Sequence, residues 1–245
     1  MSFDKEVADR IAANGNDAAL KSAATQFMLT SFKAKYSYNF SWLGRPIIQY
    51  PQDMVAMQEI IWKVQPDLIV ETGIAHGGSL IFSAAMLELN AACGGPRDGS
   101  VVGVDIDIRD HNRAAIEAHP MFKRITLIQG SSIAPEIVEE VRAAAKGKKK
   151  ILVCLDSNHT HSHVLAELEA YAPLTSVDSY CVVFDTVVED MSKEYYADRP
   201  WGPGDSPKSA VFEYLKTHRE FEIDNRVDNQ LLISVTPSGY LKRVR

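Results

Sequence analysis

Two aspartates and a histidine carry the chemistry this chain suggests most directly. Asp156 follows the apolar run Ile151-Leu-Val-Cys-Leu155, Asp185 follows Tyr180-Cys-Val-Val-Phe184, and His159 stands three residues beyond Asp156. Carboxylates at the ends of neighbouring strands repel each other unless a cation lies between them or one is protonated. Such donors suit Mg²⁺, which keeps several waters and takes one or two protein carboxylates, and Thr186 offers a further oxygen. An imidazole at the start of the next helix is placed to take a proton from a bound hydroxyl at neutral pH. Asp156 and His159 are thus the expected catalytic groups, and Asp156, Asp185 and Thr186 the expected metal ligands. The bland alternative is a pair of helix caps in separate loops. His159 and His163, four residues apart, have a spacing that on a helix binds zinc, but no His-Glu-x-x-His accompanies them.

A second constellation lies earlier, in Leu68-Ile-Val-Glu-Thr-Gly-Ile-Ala-His-Gly-Gly-Ser79. An apolar run, an acid, a glycine turn and a small-residue helix start build the nucleotide pocket of α/β proteins. Glu71 would meet the ligand, and Gly73 and Gly77 let backbone approach it. Asp105, after Val101-Val-Gly-Val, would accept from ribose hydroxyls, or else cap the following helix. Gln129, Ser131 and Ser132 offer small polar groups to a base edge, although either serine also suits a helix cap.

The elements that must position these groups alternate. Strands are expected at Leu68–Glu71, Val101–Asp105, Ile125–Gln129, Ile151–Asp156 and Tyr180–Phe184, with helices at Ser79–Ala92, Asn112–Ala118, Ala134–Ala145 and about 160–172. A helix over 207–218 and strands near Phe221–Asn225 and Gln230–Val235 complete the pattern. Alternation of this kind means parallel strands joined by crossover helices. The fold class is therefore α/β: a Rossmann-like, seven-stranded, mostly parallel sheet with helices on both faces, plus an N-terminal helical extension. Residues 1–65 form that helical and aromatic extension, which serves substrate or subunit contacts, and 66–245 the catalytic domain. The aromatics Tyr36, Tyr38, Phe40 and Trp42, with Tyr195, Tyr196 and Trp201, suit either an acceptor pocket or a subunit interface.

Composition narrows the partners. A net charge of −6 argues against non-specific nucleic-acid or anionic-membrane binding. The start Met1-Ser-Phe-Asp-Lys-Glu6 lacks the apolar core of a signal peptide, and three widely spaced cysteines suit a reducing compartment. The expectation is a cytoplasmic homo-oligomer acting on a small-molecule or saccharide acceptor, with no nucleic-acid or membrane partner.

The chain resembles the class I S-adenosylmethionine-dependent methyltransferases, and within them the family known as cephalosporin hydroxylases or rhamnosyl O-methyltransferases. The resemblance covers about residues 40–245 and rests on Gly44-Arg-Pro-Ile-Ile-Gln-Tyr-Pro-Gln-Asp53, Pro66-Asp-Leu-Ile-Val-Glu-Thr-Gly73, Leu155-Asp-Ser-Asn-His-Thr160, Tyr171-Ala-Pro-Leu174 and Gly239-Tyr-Leu241. It implies S-adenosylmethionine as cofactor. Glu71, Gly73, Gly77 and Ser79 would surround its methionine part, Asp105 its ribose, and Gln129–Ser132 its adenine. It also implies Mg²⁺ on Asp156 and Asp185, with Thr186 where catechol-type enzymes have an amide ligand and His159 where they have a catalytic lysine. The family often has Glu-Asp at the end of the fifth strand; here Phe184-Asp185 stands instead, with Glu189 or Asp190 as possible compensation.

The resulting expectation is a Mg²⁺-assisted O-methyltransferase acting on a sugar hydroxyl, His159 being the base. A nicotinamide-dependent oxidoreductase shares the strand–glycine–helix–acid layout but wants Gly-x-Gly-x-x-Gly, which the spacing from Gly73 does not give. A non-catalytic S-adenosylmethionine-binding protein is the third reading, and Phe184 is the feature in its favour.

Overall fold

The computed structural model describes residues 2–245. Two helices lead, α1 (Phe3–Asn16) and α2 (Ala18–Lys33), parted at Asp17, whose carboxylate accepts from the Leu20 amide and caps the second. Residues 36–51, which show no periodicity, form a 3₁₀ turn over Tyr36–Asn39 and a hairpin of β1 (Phe40–Trp42) and β2 (Arg45–Ile47). Its two turn residues, Leu43 and Gly44, both have positive φ, as a tight hairpin requires. Helix α3 (Pro51–Val64) starts on a proline, which fits the first helical turn.

Strands and helices then alternate: β3 (Leu68–Thr72), α4 (Gly78–Ala92), β4 (Ser100–Asp105), α5 (Asp110–Glu117), β5 (Ile125–Gln129), α6 (Pro135–Ala145), β6 (Ile151–Leu155), α7 (His161–Tyr171) and β7 (Tyr180–Val183). The chain ends with α8 (Pro207–Tyr214), β8 (Phe221–Ile223), α9 (Asn225–Leu231) and β9 (Tyr240–Arg243). The sheet order is β5-β4-β3-β6-β7-β9-β8, with β3 to β7 parallel and β9 antiparallel to both neighbours. This is the seven-stranded, mostly parallel sheet the sequence leads one to expect.

Alternate residues of each strand serve opposite faces. Ile69, Val101, Leu152 and Val182 pack with α3 and α4, while Val70, Val102, Val153 and Val183 pack with α6, α7 and α8. Met28 of α2 and Ile47 of β2 join the first of these cores. No helix among the described residues is long and apolar enough to cross a membrane.

The C-terminal strand expectation is corrected. Gln230–Val235 is not a strand: Asp224 caps α9 through the Arg226 amide, and the last strand is Tyr240–Arg243. Residues 232–239 form a loop held by Asp53, which is fully buried in the first turn of α3. Its carboxylate accepts from the Ser234 hydroxyl (2.5 Å), the Val235 amide (3.0 Å) and the Tyr240 hydroxyl (2.8 Å). The apolar Leu-Leu-Ile-Ser-Val run thus crosses the end of α3 instead of entering the sheet. Replacing Asp53 by Ala leaves three buried donors without an acceptor, so Asp53→Ala should lower unfolding free energy by about 3 kcal/mol or more. Urea denaturation measures this, and an unchanged midpoint would show that the loop holds without its anchor.

Candidate active site

The strand order reverses between β3 and β6, the place where open parallel sheets bind ligands. The two strand ends meet closely there. The Asp156 amide donates to the Thr72 carbonyl (2.9 Å), and a Cβ on Gly73 would come within 2.0 Å of the Asp156 carbonyl oxygen. Gly73 also has φ +81°, so both space and backbone call for glycine.

On the β6–β7 side, ligand atoms of Asp156, His159 and Asp185 all lie within 4.8 Å of one another. His159 Nε2 is 3.2 Å from Asp185 Oδ2, and its ring meets Trp201 edge-on with centroids 4.8 Å apart. Asp185 has φ +53°, an unusual backbone for a non-glycine residue that turns the chain straight from β7 into a 3₁₀ segment. Burial raises the Asp156 carboxyl well above the usual carboxylate range, and the charges of Asp185, Glu71, Glu167 and Asp53 raise it further. A carboxylate so placed is one that a divalent cation would stabilise, and the carboxylate oxygens of Asp156 and Asp185 suit such an ion.

Thr186 is fully buried, and its hydroxyl donates to the Pro237 carbonyl (2.8 Å). Glu189 accepts from the Gly204 amide and the Ser206 hydroxyl, and Asp190 pairs with Lys208. Both acids are thus engaged by partners outside the Asp156–His159–Asp185 cluster. Phe184 itself lines a narrow cavity with Glu71, Asp53 and Asp156. The zinc spacing dissolves: α7 begins only at His161, and while His159 faces Asp185, His163 Nε2 lies 3.0 Å from the Ser132 hydroxyl and 3.1 Å from that of Ser157.

The glycine loop is held from outside. Arg45 donates to the His76 carbonyl and to the Asn112 side chain, which in turn donates to the Ala75 carbonyl. Asp105 accepts from the amides of Ile74 (2.9 Å) and Asp107 (3.0 Å), so it braces this loop and is not the cap of α5, which is Arg109. Glu71 is buried and accepts from the Ser79 hydroxyl. Gly77, at φ +82°, precedes α4, whose first amides have no side-chain cap. Gln129 accepts from Arg113 (3.0 Å). Neither Ser131 nor Ser132 caps α6, which starts from Ala134 without a side-chain bond.

Sequence reasoning gave no role to Arg45, Asp53, Asn112 or Glu167. Arg45 and Asp53 lie inside the Gly44–Asp53 motif, which is the signal that could have singled them out. Nothing local marks Glu167, a fully buried acid one helical turn from His163 that accepts from the Ser157 hydroxyl (2.7 Å).

Residues 34–244 match the family described as Rhamnosyl O-methyltransferase/CmcI. The chain is 30% identical over 197 residues to a Rhamnosyl O-methyltransferase of Mycobacterium tuberculosis (strain ATCC 25618 / H37Rv), covering 78% of this chain and 73% of that protein. It is 33% identical over 148 residues to the protein of the same description from Mycobacterium leprae (strain TN), a match spanning 60% of each. Among solved structures, apo CmcI-N160 superposes with a TM-score of 0.60 at 23% identity, covering 85% of this chain and 77% of that one. CmcI-D160 with Mg and SAM gives 0.58 at 20% identity, covering 85% and 78%. Both share the fold described above.

Burial raises the Glu71 carboxyl to about 7, against the pull of the Ser79 hydrogen bond. Its ordinary value is 4.5, so between these limits the folded chain keeps a proton that the unfolded chain has lost. Stability must then fall as pH rises through that window and level off above it. Glu71→Gln removes this contribution. The wild-type unfolding free energy should drop relative to that of the variant by about 1–3 kcal/mol between roughly pH 5 and pH 7.5. Urea titrations at several pH values test it; parallel curves would refute the assignment.

Proposed function

The chain belongs to the rhamnosyl O-methyltransferase/CmcI family, S-adenosylmethionine-dependent O-methyltransferases, and we propose that it methylates a hydroxyl of a sugar or glycosylated small molecule with Mg²⁺ assistance. One observation carries this reading: the Asp156–His159–Asp185 cluster joins two cavities. Asp156 lines the narrow cavity beside Glu71 and Ser79, the donor side, while His159 and Asp185 line a cleft of about 330 Å³ walled by Tyr38, Tyr195 and Trp201, the acceptor side.

On this reading Glu71, Ser79 and the Gly73–Gly77 loop hold the methionine part of the cofactor, and Asp105 and the Gln129–Ser132 segment hold its nucleoside. Asp156 and Asp185 hold the cation; Thr186 fixes the loop between β7 and Pro237. When bound, S-adenosylmethionine supplies the methyl group and the cation supplies charge that lowers the pKa of the acceptor hydroxyl. His159 takes the hydroxyl proton on the ring nitrogen that Asp185 does not hold, Asp185 stabilises the imidazolium so formed through Nε2, and the Trp201 edge fixes the ring. Aromatic walls on the cleft restrict the acceptor to orientations that bring its oxygen toward the donor side, where positioning lowers the barrier further.

His159→Ala should lower turnover by about 10²–10⁴ with S-adenosylmethionine affinity unchanged by calorimetry; a wild-type rate would remove His159 as the base. Asp156→Ala should abolish cation-dependent turnover while retaining cofactor binding. Full activity of the wild type in excess chelator would overturn the metal assignment.

A further inference from the structure

The mouth of the acceptor cleft is built of donors. Lys35 and Arg199 both line it, and Tyr196, 8% exposed, lines it too with a hydroxyl that has no hydrogen-bond partner. Lys35 sits just past the end of α2 with φ +50°, and no carboxylate lies within ion-pair distance of it among the described residues. The Arg199 guanidinium lies 5.5 Å over the Trp201 ring, and its nearest acid is the adjacent Asp198, at 4.0 Å and 86% exposed. Stacking on an indole that also meets His159 places this cation, itself 53% exposed, beside the site.

This local excess of positive charge runs against a chain whose net charge is −6. Among the described residues that line the cleft Asp185 is the one carboxylate, and it faces His159. A ligand that reaches from His159 to Lys35 and Arg199 is best matched by a hydroxyl at one end and an acceptor-rich, negatively charged group at the other. A neutral sugar could accept from the Tyr196 hydroxyl but would leave the two cations without a charged partner in the cleft. Resting on the methyltransferase reading above, we infer that the acceptor is an anionic hydroxyl compound, a sugar acid or sugar phosphate, whose charged group is held by Lys35 and Arg199. Carboxylate and phosphate share the required chemistry: both accept charge-assisted hydrogen bonds from guanidinium and ammonium.

The test uses the full chain loaded with S-adenosylhomocysteine and Mg²⁺, titrated by calorimetry with matched pairs. Glucuronate against its methyl ester forms the carboxylate arm, and glucose 1-phosphate against methyl glucoside the phosphate arm. In at least one arm the anionic member should bind about 10-fold more tightly than its neutral partner, and the arm that responds names the group. That preference should vanish in the double variant Lys35→Ala, Arg199→Ala, and shrink as salt is raised, while S-adenosylhomocysteine binding stays at the wild-type value. Equal binding within both pairs, binding of no member, or a preference that survives the double substitution would overturn the inference. Failure of the methyltransferase reading is distinguishable, because it would show as absent S-adenosylhomocysteine binding before any acceptor is added.

Discussion

The site depends on how tightly the ends of β3 and β6 are locked together. The Thr72 carbonyl holds the Asp156 amide, and Gly73 backs onto the Asp156 carbonyl with no room for a side chain. The turn that carries Glu71 and the loop that carries Asp156 and His159 therefore move as one body. Arg45 and Asn112 brace that turn from the hairpin and from α5, and Asp105 braces it from β4. A donor and an acceptor bound on either side of this seam would be held in a relation set by backbone, which is the less adjustable part of a protein.

What the seam costs is charge. Asp53, Glu71, Asp156 and Asp185 are drawn to one edge of the sheet, and their compensation is graded. Asp53 has three donors and a carboxyl raised only to about 6, Glu71 has one donor and reaches about 7, and Asp156 has no side-chain donor among the described residues and is pushed furthest. The best-satisfied acid is the one that holds a loop. The least satisfied lies beside His159 and Asp185, where a cation would relieve it. The order of Asp53, Glu71 and Asp156 thus follows how many hydrogen-bond donors the fold gives each, not their distance along the chain.

Much of this was legible in the sequence, for reasons that differ by element. The inner parallel strands announce themselves because both faces are buried, so Leu68–Val70 and Ile151–Leu155 read as unbroken apolar runs, whereas the edge strand β5 is partly exposed. Their carboxyl ends follow by topology, and that gave Glu71, Asp105, Asp156 and Asp185 without any contact being known. The hairpin over 40–47 was invisible because two three-residue strands carry too few residues for a period. Residues 230–235 read as a strand because Leu-Leu-Ile-Ser-Val has strand composition, while the bond network that decides their path comes from Asp53, some 180 residues earlier in the chain. Residues whose role is to hold another loop, such as Asn112 and Glu167, leave no local mark at all.

Phe184 then takes on a different meaning from a missing ligand. It is 7% exposed and shares a cavity with Glu71 and Asp156, so its ring deepens the desolvation of both carboxylates without adding a charge. With a glutamate there, a third carboxylate would join Asp156 and Asp185, and the cluster would carry more negative charge than one divalent ion neutralises. With phenylalanine, the two aspartates would balance a divalent ion held between them, and negative charge developing on an acceptor oxygen would meet no additional carboxylate. An apolar wall at this position lowers the local polarity, which strengthens each remaining electrostatic contact. On the proposed function, a site with two carboxylates and an apolar wall would keep the charge relation that methyl transfer from a cationic sulfonium to an ionised hydroxyl requires.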